Sequence, residues 1–129
     1  MTKKSKLYHL RSKEKRDSQL KQTKSLILKK NYVGLLNNQK WYRVFEWIEQ
    51  NNSEFELKTL LSSSLKKGTD IFELEQSSIL IDNTGNFIEF FELEKIIIHK
   101  TPEIKYELNM LNIEFYEELD KIIIQGYRK

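Results

Sequence analysis

Residues 78–99 read Ser78-Ile79-Leu80-Ile81-Asp82-Asn83-Thr84-Gly85-Asn86-Phe87-Ile88-Glu89-Phe90-Phe91-Glu92-Leu93-Glu94-Lys95-Ile96-Ile97-Ile98-His99. Two apolar runs, 78–81 and 87–90, flank a Gly-containing loop at 82–86, the pattern of a β-hairpin. A further strand is expected from Leu93 to His99. Phe90-Phe91 breaks strict alternation, so a bulge or bend is expected between Phe90 and Glu94.

Upstream the period is helical. Trp41, Val44, Phe45 and Ile48 recur at i, i+3, i+4 and i+7 and form one apolar face. Asn37 or Asn38 can cap this helix, and Asn51-Asn52 can end it. Ser53 with Glu56 reads as a capping box. It predicts a second helix carrying Leu57, Leu60, Leu61 and Leu65, stopped by Gly68. Leu20, Lys24, Ile27 and Leu28 predict a helix over 18–30, and Val33, Leu35 and Leu36 a turn tucked into the core around Gly34. Residues 1–17 hold few apolar anchors, Leu7, Tyr8 and Leu10, and are read as a frayed arm or one that folds on binding.

Past Gly68 the period shortens, and Ile71-Phe72-Glu73-Leu74 reads as a short strand. Thr101 caps one more helix with Pro102 at its first position, Ile104, Leu108 and Leu111 on its buried stripe and Asn112 at its end. Residues 113–116 and 122–127 read as strands joined by 117–121. This order gives an α+β fold: N-terminal helices, then a mostly antiparallel sheet with one further helix. Residues 18–129 are expected to form a single domain behind a basic arm, 1–17.

Composition narrows the function classes. Cysteine is absent, which excludes disulfides and thiolate metal sites and suits a reducing cytoplasm. No apolar run approaches the ~20 residues of a membrane span, and the basic start is followed by more charge, so neither a membrane partner nor a signal peptide is expected. The Lys, Ile and Asn content suggests an AT-rich bacterial or phage genome. Charge is unevenly placed. Residues 1–30 hold 11 Lys/Arg against Glu14 and Asp17, a net of +9, whereas residues 31–129 hold 11 basic against 17 acidic residues, a net of −6. Such asymmetry suits a nucleic-acid or anionic partner for the arm, and equally a solvated helix or an arm folded onto its own acidic body.

Three stretches carry a resemblance. They are Leu36-Asn37-Asn38-Gln39-Lys40-Trp41, the run from Gly85 through Ile96, and Ile124-Gln125-Gly126-Tyr127-Arg128. In that order they resemble an uncharacterised family of small bacterial proteins, with Asn-Asp/Asn-x-Lys-Trp at a helix start, an Ile/Glu-rich strand and a Gly-Tyr-Arg close. The resemblance implies one domain over roughly residues 25–129 and assigns no activity.

Chemistry-bearing motifs are sparse. His9 and His99 lack metal-ligand spacing, so no metal or cofactor is expected. Ser62-Ser63-Ser64 and Ser77-Ser78 lack a nucleophile-elbow context, and the four glycines are too far apart for a phosphate loop. Asp82, Glu89, Glu92 and Glu103 are the least poor enzyme signal, a metal-dependent nuclease, but Pro102 puts Glu103 in a first helical turn rather than on a strand. No catalytic residue is assigned, and the protein is read as a binding protein, not an enzyme.

Its partner is expected to be another protein, neutralised in the manner of an inhibitor or immunity protein, with the acidic body meeting a basic partner. Tyr42, Arg43, Trp47, Tyr127 and Arg128 are the candidate contact residues, since Tyr, Trp and Arg dominate binding hot spots. The alternative is nucleic-acid binding through Lys3, Lys4, Lys6, Arg11, Lys13, Lys15 and Arg16.

Overall fold

The structure, a computed structural model, describes the backbone of residues 3–72, 79–82 and 87–129, and side chains over 16–68 and 88–129. Its elements in chain order are α1 (Lys3–Lys30), β1 (Val33–Gly34), α2 (Asn38–Gln50), β2 (Phe55–Thr59), β3 (Lys66–Phe72), β4 (Ile79–Asp82), β5 (Phe87–Glu89), a 3₁₀ turn (Phe90–Glu92), β6 (Leu93–His99), α3 (Pro102–Met110), β7 (Tyr116–Glu118), β8 (Lys121–Gln125) and β9 (Tyr127–Arg128). Seven strands form one sheet in the order β5-β4-β3-β2-β6-β8-β7, and β1 pairs with β9 in a separate ribbon. Every described pairing is antiparallel. The fold is α+β.

The strands alternate between two faces. Phe55 and Leu57 of β2, Ile96 and Ile98 of β6, and Ile122 and Ile124 of β8 lie in register and are buried on the inner face. The stripe of α2 covers them: Trp41, Val44, Phe45 and Ile48 are buried in the same core, as are Ile104 and Leu108 of α3. Phe45 is its hub. Its ring stacks on Trp41 at 5.8 Å and on Phe90 at 5.5 Å, and tilts against Phe55 at 5.4 Å. The caps read from sequence are in place. Asn37 accepts from the Lys40 amide at 2.8 Å, and Thr101 from that of Ile104 at 3.2 Å.

The helix expected from Ser53 to Gly68 is two strands instead. Phe55 and Leu57 alternate with Glu56 and pair with β6, and the turn before β3 leaves Leu61 and Leu65 44% and 41% exposed. A leucine stripe gains nothing from a helix when β6 offers a fully buried strand partner. Gly68 sits in β3, and the Phe55 ring occupies the space that a side chain there would need. The turn around Gly34 also differs: Val33 is 56% exposed and builds β1, and only Leu36 packs on the core.

Other differences are local. The 3₁₀ turn at Phe90–Glu92 is the bend expected there, and a register shift follows it, with Lys58 opposite Lys95 but Thr59 opposite Leu93. The first strand of the last pair starts at Tyr116, not Ile113, which is buried instead. The final strand breaks at Gly126, so Tyr127 leaves the sheet to pair with Gly34. A side chain at Gly126 would stand 2.3 Å from the Leu93 carbonyl oxygen, so only glycine fits this crossing. The hairpin loop 83–86 lies outside the described residues, although β4 and β5 pair as expected around it.

Helix α1 starts at Lys3, so its backbone runs through the boundary expected at residue 17 without a break. It docks on the 3₁₀ turn. Arg16 Nη1 donates to Glu92 Oε1 at 2.7 Å and Nη2 to Glu92 Oε2, while the Lys24 ammonium lies 5.4 Å from the Phe91 ring centre. Thr23 is buried and donates to the Gln19 carbonyl at 2.9 Å, inside the helix.

Candidate functional site

The face of the sheet opposite the core carries the candidate site. Register places Lys58, Lys95 and Gln125 in one row across β2, β6 and β8, and Glu56, Ile97, Ile123 and Tyr116 in the next, across β2, β6, β8 and β7. Alternation explains this on β2, β6 and β8: each of their residues neighbours an inner-face Leu57, Ile96, Ile98, Ile122 or Ile124, and Tyr116 joins the row through its pairing with Ile123. Ile97 is buried although it lies outside the main core cluster, and Ile123 is half-buried. The row therefore grades outward from buried Ile97 through half-buried Ile123 to Tyr116, which is 63% exposed on the edge strand β7.

The register shift at the start of β6 re-aims one side chain. It leaves Glu94 beside Lys95, with the Glu94 carboxylate bound by Lys58 at Oε2 and by Lys129 at Oε1. Glu94 is buried, so this double pairing is what allows its charge there. The Glu94 carbonyl also accepts from the Gly126 amide at 2.8 Å, tying β6 to the start of β9.

The β1–β9 ribbon makes the adjoining wall. The Tyr127 hydroxyl donates to the Phe91 carbonyl at 2.7 Å, and burial raises its pKa. Its ring lies 6.3 Å from that of Tyr32, over which Lys129 also sits at 5.6 Å. Together the sheet face and ribbon enclose a cleft of about 500 Å³, lined among others by Glu94, Lys95, Glu114, Gln125, Tyr127 and Arg128. A second hollow of about 320 Å³ opens along the same face around Glu56, Lys67, Ile97, His99 and Lys121.

The cleft lining holds amines, a guanidinium, an amide, phenols and carboxylates. Among the described residues no group of three or more His, Asp or Glu could hold a metal ion. Of the carboxylates considered for a nuclease, Glu92 is committed to Arg16, Glu103 is exposed in the first turn of α3, and the Asp82 side chain lies outside the described residues. Glu89 acts through its backbone amide, which donates to Glu92 Oε2 at 2.7 Å. Elsewhere, Glu117 bonds Lys105 at 2.6 Å and lies 3.5 Å from Lys100, which holds its pKa below the usual carboxylate range.

The contact residues expected from sequence fall in two places. Tyr127 and Arg128 line the cleft, and Arg128 is exposed. Tyr42 and Trp47 are half-buried against the core, and the exposed Arg43 lies 3.5 Å from Glu46 of its own helix. Of the arm cations, Arg16 is held by Glu92, and the side chains of Lys3, Lys4, Lys6, Arg11, Lys13 and Lys15 lie outside the described residues. Lys95, Tyr116 and Gln125 were not among the expected site residues. For Lys95 and Gln125 the signal is alternation with the buried Ile96 and Ile124, which marks an outward face without saying which strands adjoin; Tyr116 has no such local signal. No known protein family, curated protein or solved structure matches this chain. Among the described residues, no helix is long and apolar enough to cross a membrane.

Proposed function

We propose that this is a bacterial or phage cytoplasmic protein that acts by binding another protein, as inhibitor and immunity-type proteins do, without chemistry of its own. The supporting observation is the outer sheet face, where half-buried Ile123 and exposed Tyr116 form an apolar strip beside a polar cleft walled by Tyr127 and Arg128. An apolar strip rimmed by polar groups, with Tyr and Arg at hand, has the anatomy of a protein interface. Tyr127 is pinned by its bond to Phe91, so little ordering cost remains there on binding. Once a partner from the source cell is identified and the complex rebuilt from purified proteins, Tyr116→Ala and Ile123→Lys should each weaken it about tenfold or more. Tyr106→Ala, exposed on α3, should leave it unchanged. A complex indifferent to both outer-face changes would remove this reading.

One observation favours a second reading. Helix α1 gathers 11 Lys/Arg and two acidic residues on one continuous element of 28 residues, roughly 42 Å long. Under this reading α1 binds nucleic acid through phosphate contacts, weakly dependent on sequence. Engaging about six phosphates predicts a loss of roughly a thousandfold in affinity between 50 and 200 mM salt. Replacing Lys3, Lys4 and Lys6 with glutamate should flatten that slope. If the full chain ignores both a 30-base-pair duplex and oligothymidylate at low salt, this reading fails.

A further inference from the structure

We infer that the cleft between the outer sheet face and the β1–β9 ribbon is a carboxylate-binding site that receives an acidic side chain of the protein partner. This rests on the protein-binding reading above and gives its partner a chemistry.

Bound and free groups in the cleft differ in kind. Both oxygens of Glu94 are taken, one by Lys58 and one by Lys129, so neither that carboxylate nor Lys129 is available to a ligand. Lys95, Arg128, Gln125 and Tyr116 make no side-chain hydrogen bond or ion pair within the described residues. These four offer an ammonium, a guanidinium, an amide N–H and a phenolic O–H. Against them stands one free carboxylate, Glu114, exposed in the segment leading to β7. Four donors, two of them cationic, against one anion select a ligand rich in acceptors, and a carboxylate meets a guanidinium in two parallel bonds.

The backbone that carries these donors is fixed before any ligand arrives. Lys95 and Gln125 are cross-strand partners on β6 and β8. Arg128 follows Tyr127, whose hydroxyl is fixed to Phe91, and Gly126, whose amide is fixed to Glu94. Locking Glu94 between two lysines also removes the charge that would repel an incoming acid. The local preference is thus opposite to that of the body as a whole, which carries a net charge of −6 over residues 31–129. Overall charge predicts a basic partner, whereas the free groups of the cleft predict an acidic side chain at this position.

The test uses the isotopically labelled full chain, titrated with blocked tetraglutamate and, in parallel, blocked tetralysine, and followed by amide NMR shifts. Tetraglutamate should move the resonances of Lys95, Gln125, Tyr127 and Arg128, and tetralysine should not. Lys95→Ala and Arg128→Ala should each weaken the effect about fivefold, as for a partly exposed ion pair. Lys67→Ala, outside this cleft, should have no effect. Shifts confined to α1, which carries most of the net positive charge, would overturn the inference, as would equal responses to the two peptides. If tetraglutamate does not bind the cleft but the partner complex still depends on Tyr116 and Ile123, the carboxylate site falls and the protein-binding reading stands. If the complex ignores Tyr116 and Ile123 while tetraglutamate binds the cleft, the carboxylate site stands and the protein-binding reading falls.

Discussion

Phe45→Ala is expected to lower the unfolding free energy by about 3–5 kcal/mol, the range for deleting a fully buried aromatic ring. Phe45 is fully buried and its ring contacts those of Trp41, Phe55 and Phe90 together, so its loss opens a void between α2, β2 and the 3₁₀ turn at once. Rings on three separate elements have no common way to collapse into that space. Domains of this size are stable by only about 5–15 kcal/mol, so the variant should sit near the edge of folding at 37 °C. Trp47→Ala should cost clearly less, because that ring is only half-buried. Urea unfolding followed by circular dichroism measures both. A Phe45 loss below about 1 kcal/mol would mean that the core is not packed as described.

Arg16→Ala is the second large effect, expected at roughly 2–4 kcal/mol. The Glu92 side chain is 6% exposed and that of Arg16 is 26% exposed. Removing the arginine therefore leaves a carboxylate buried with one remaining amide donor, from Glu89, whereas removing the charge of Glu92 leaves a cation that can turn toward water. This asymmetry predicts that Glu92→Gln costs less, about 1–2 kcal/mol, since the amide still accepts a bond. This pair is a direct polar tie between the described part of α1 and the 3₁₀ turn, so Arg16→Ala should also speed amide hydrogen exchange through residues 16–24 relative to β6. Equal losses for the two variants, or unchanged exchange in α1, would show that the helix is held by other contacts.

These two sites differ in how far the sequence revealed them. Phe45 belongs to a stripe whose 3.6-residue period needs no partner to be seen. The Arg16–Glu92 pair joins residues 76 positions apart, and nothing local distinguishes Arg16 from the other cations of α1. Reading it with those cations as one phosphate-binding set was natural from charge alone, and the tertiary contact sets it apart.

The segment 53–68 shows where local signals mislead. Ser53, Glu56 and the leucines after them agree on a helix, and each signal is real. Helix preferences among such residues are worth a few tenths of a kcal/mol each. Burying Phe55 and Leu57 against Ile96 and Ile98 is worth roughly 2 kcal/mol per side chain, so the sheet prevails. The candidate cleft was half legible for the same reason. Tyr127 and Arg128 stood out by residue type, whereas Lys95, Gln125 and Tyr116 joined them only through strand register.

The chain's own order of residues determined its α+β class, the helix α2 with its cap, the hairpin of β4 and β5, the capped helix α3 and the split between a basic start and an acidic remainder. Those features are set by contacts within about four residues or by composition, so a linear reading reaches them. Strand order, the fate of residues 53–68, the docking of α1 and the assembly of the cleft depend on which distant segments meet. That choice is made by the free energy of burying side chains across the whole fold, and it exists only once the chain has closed on itself.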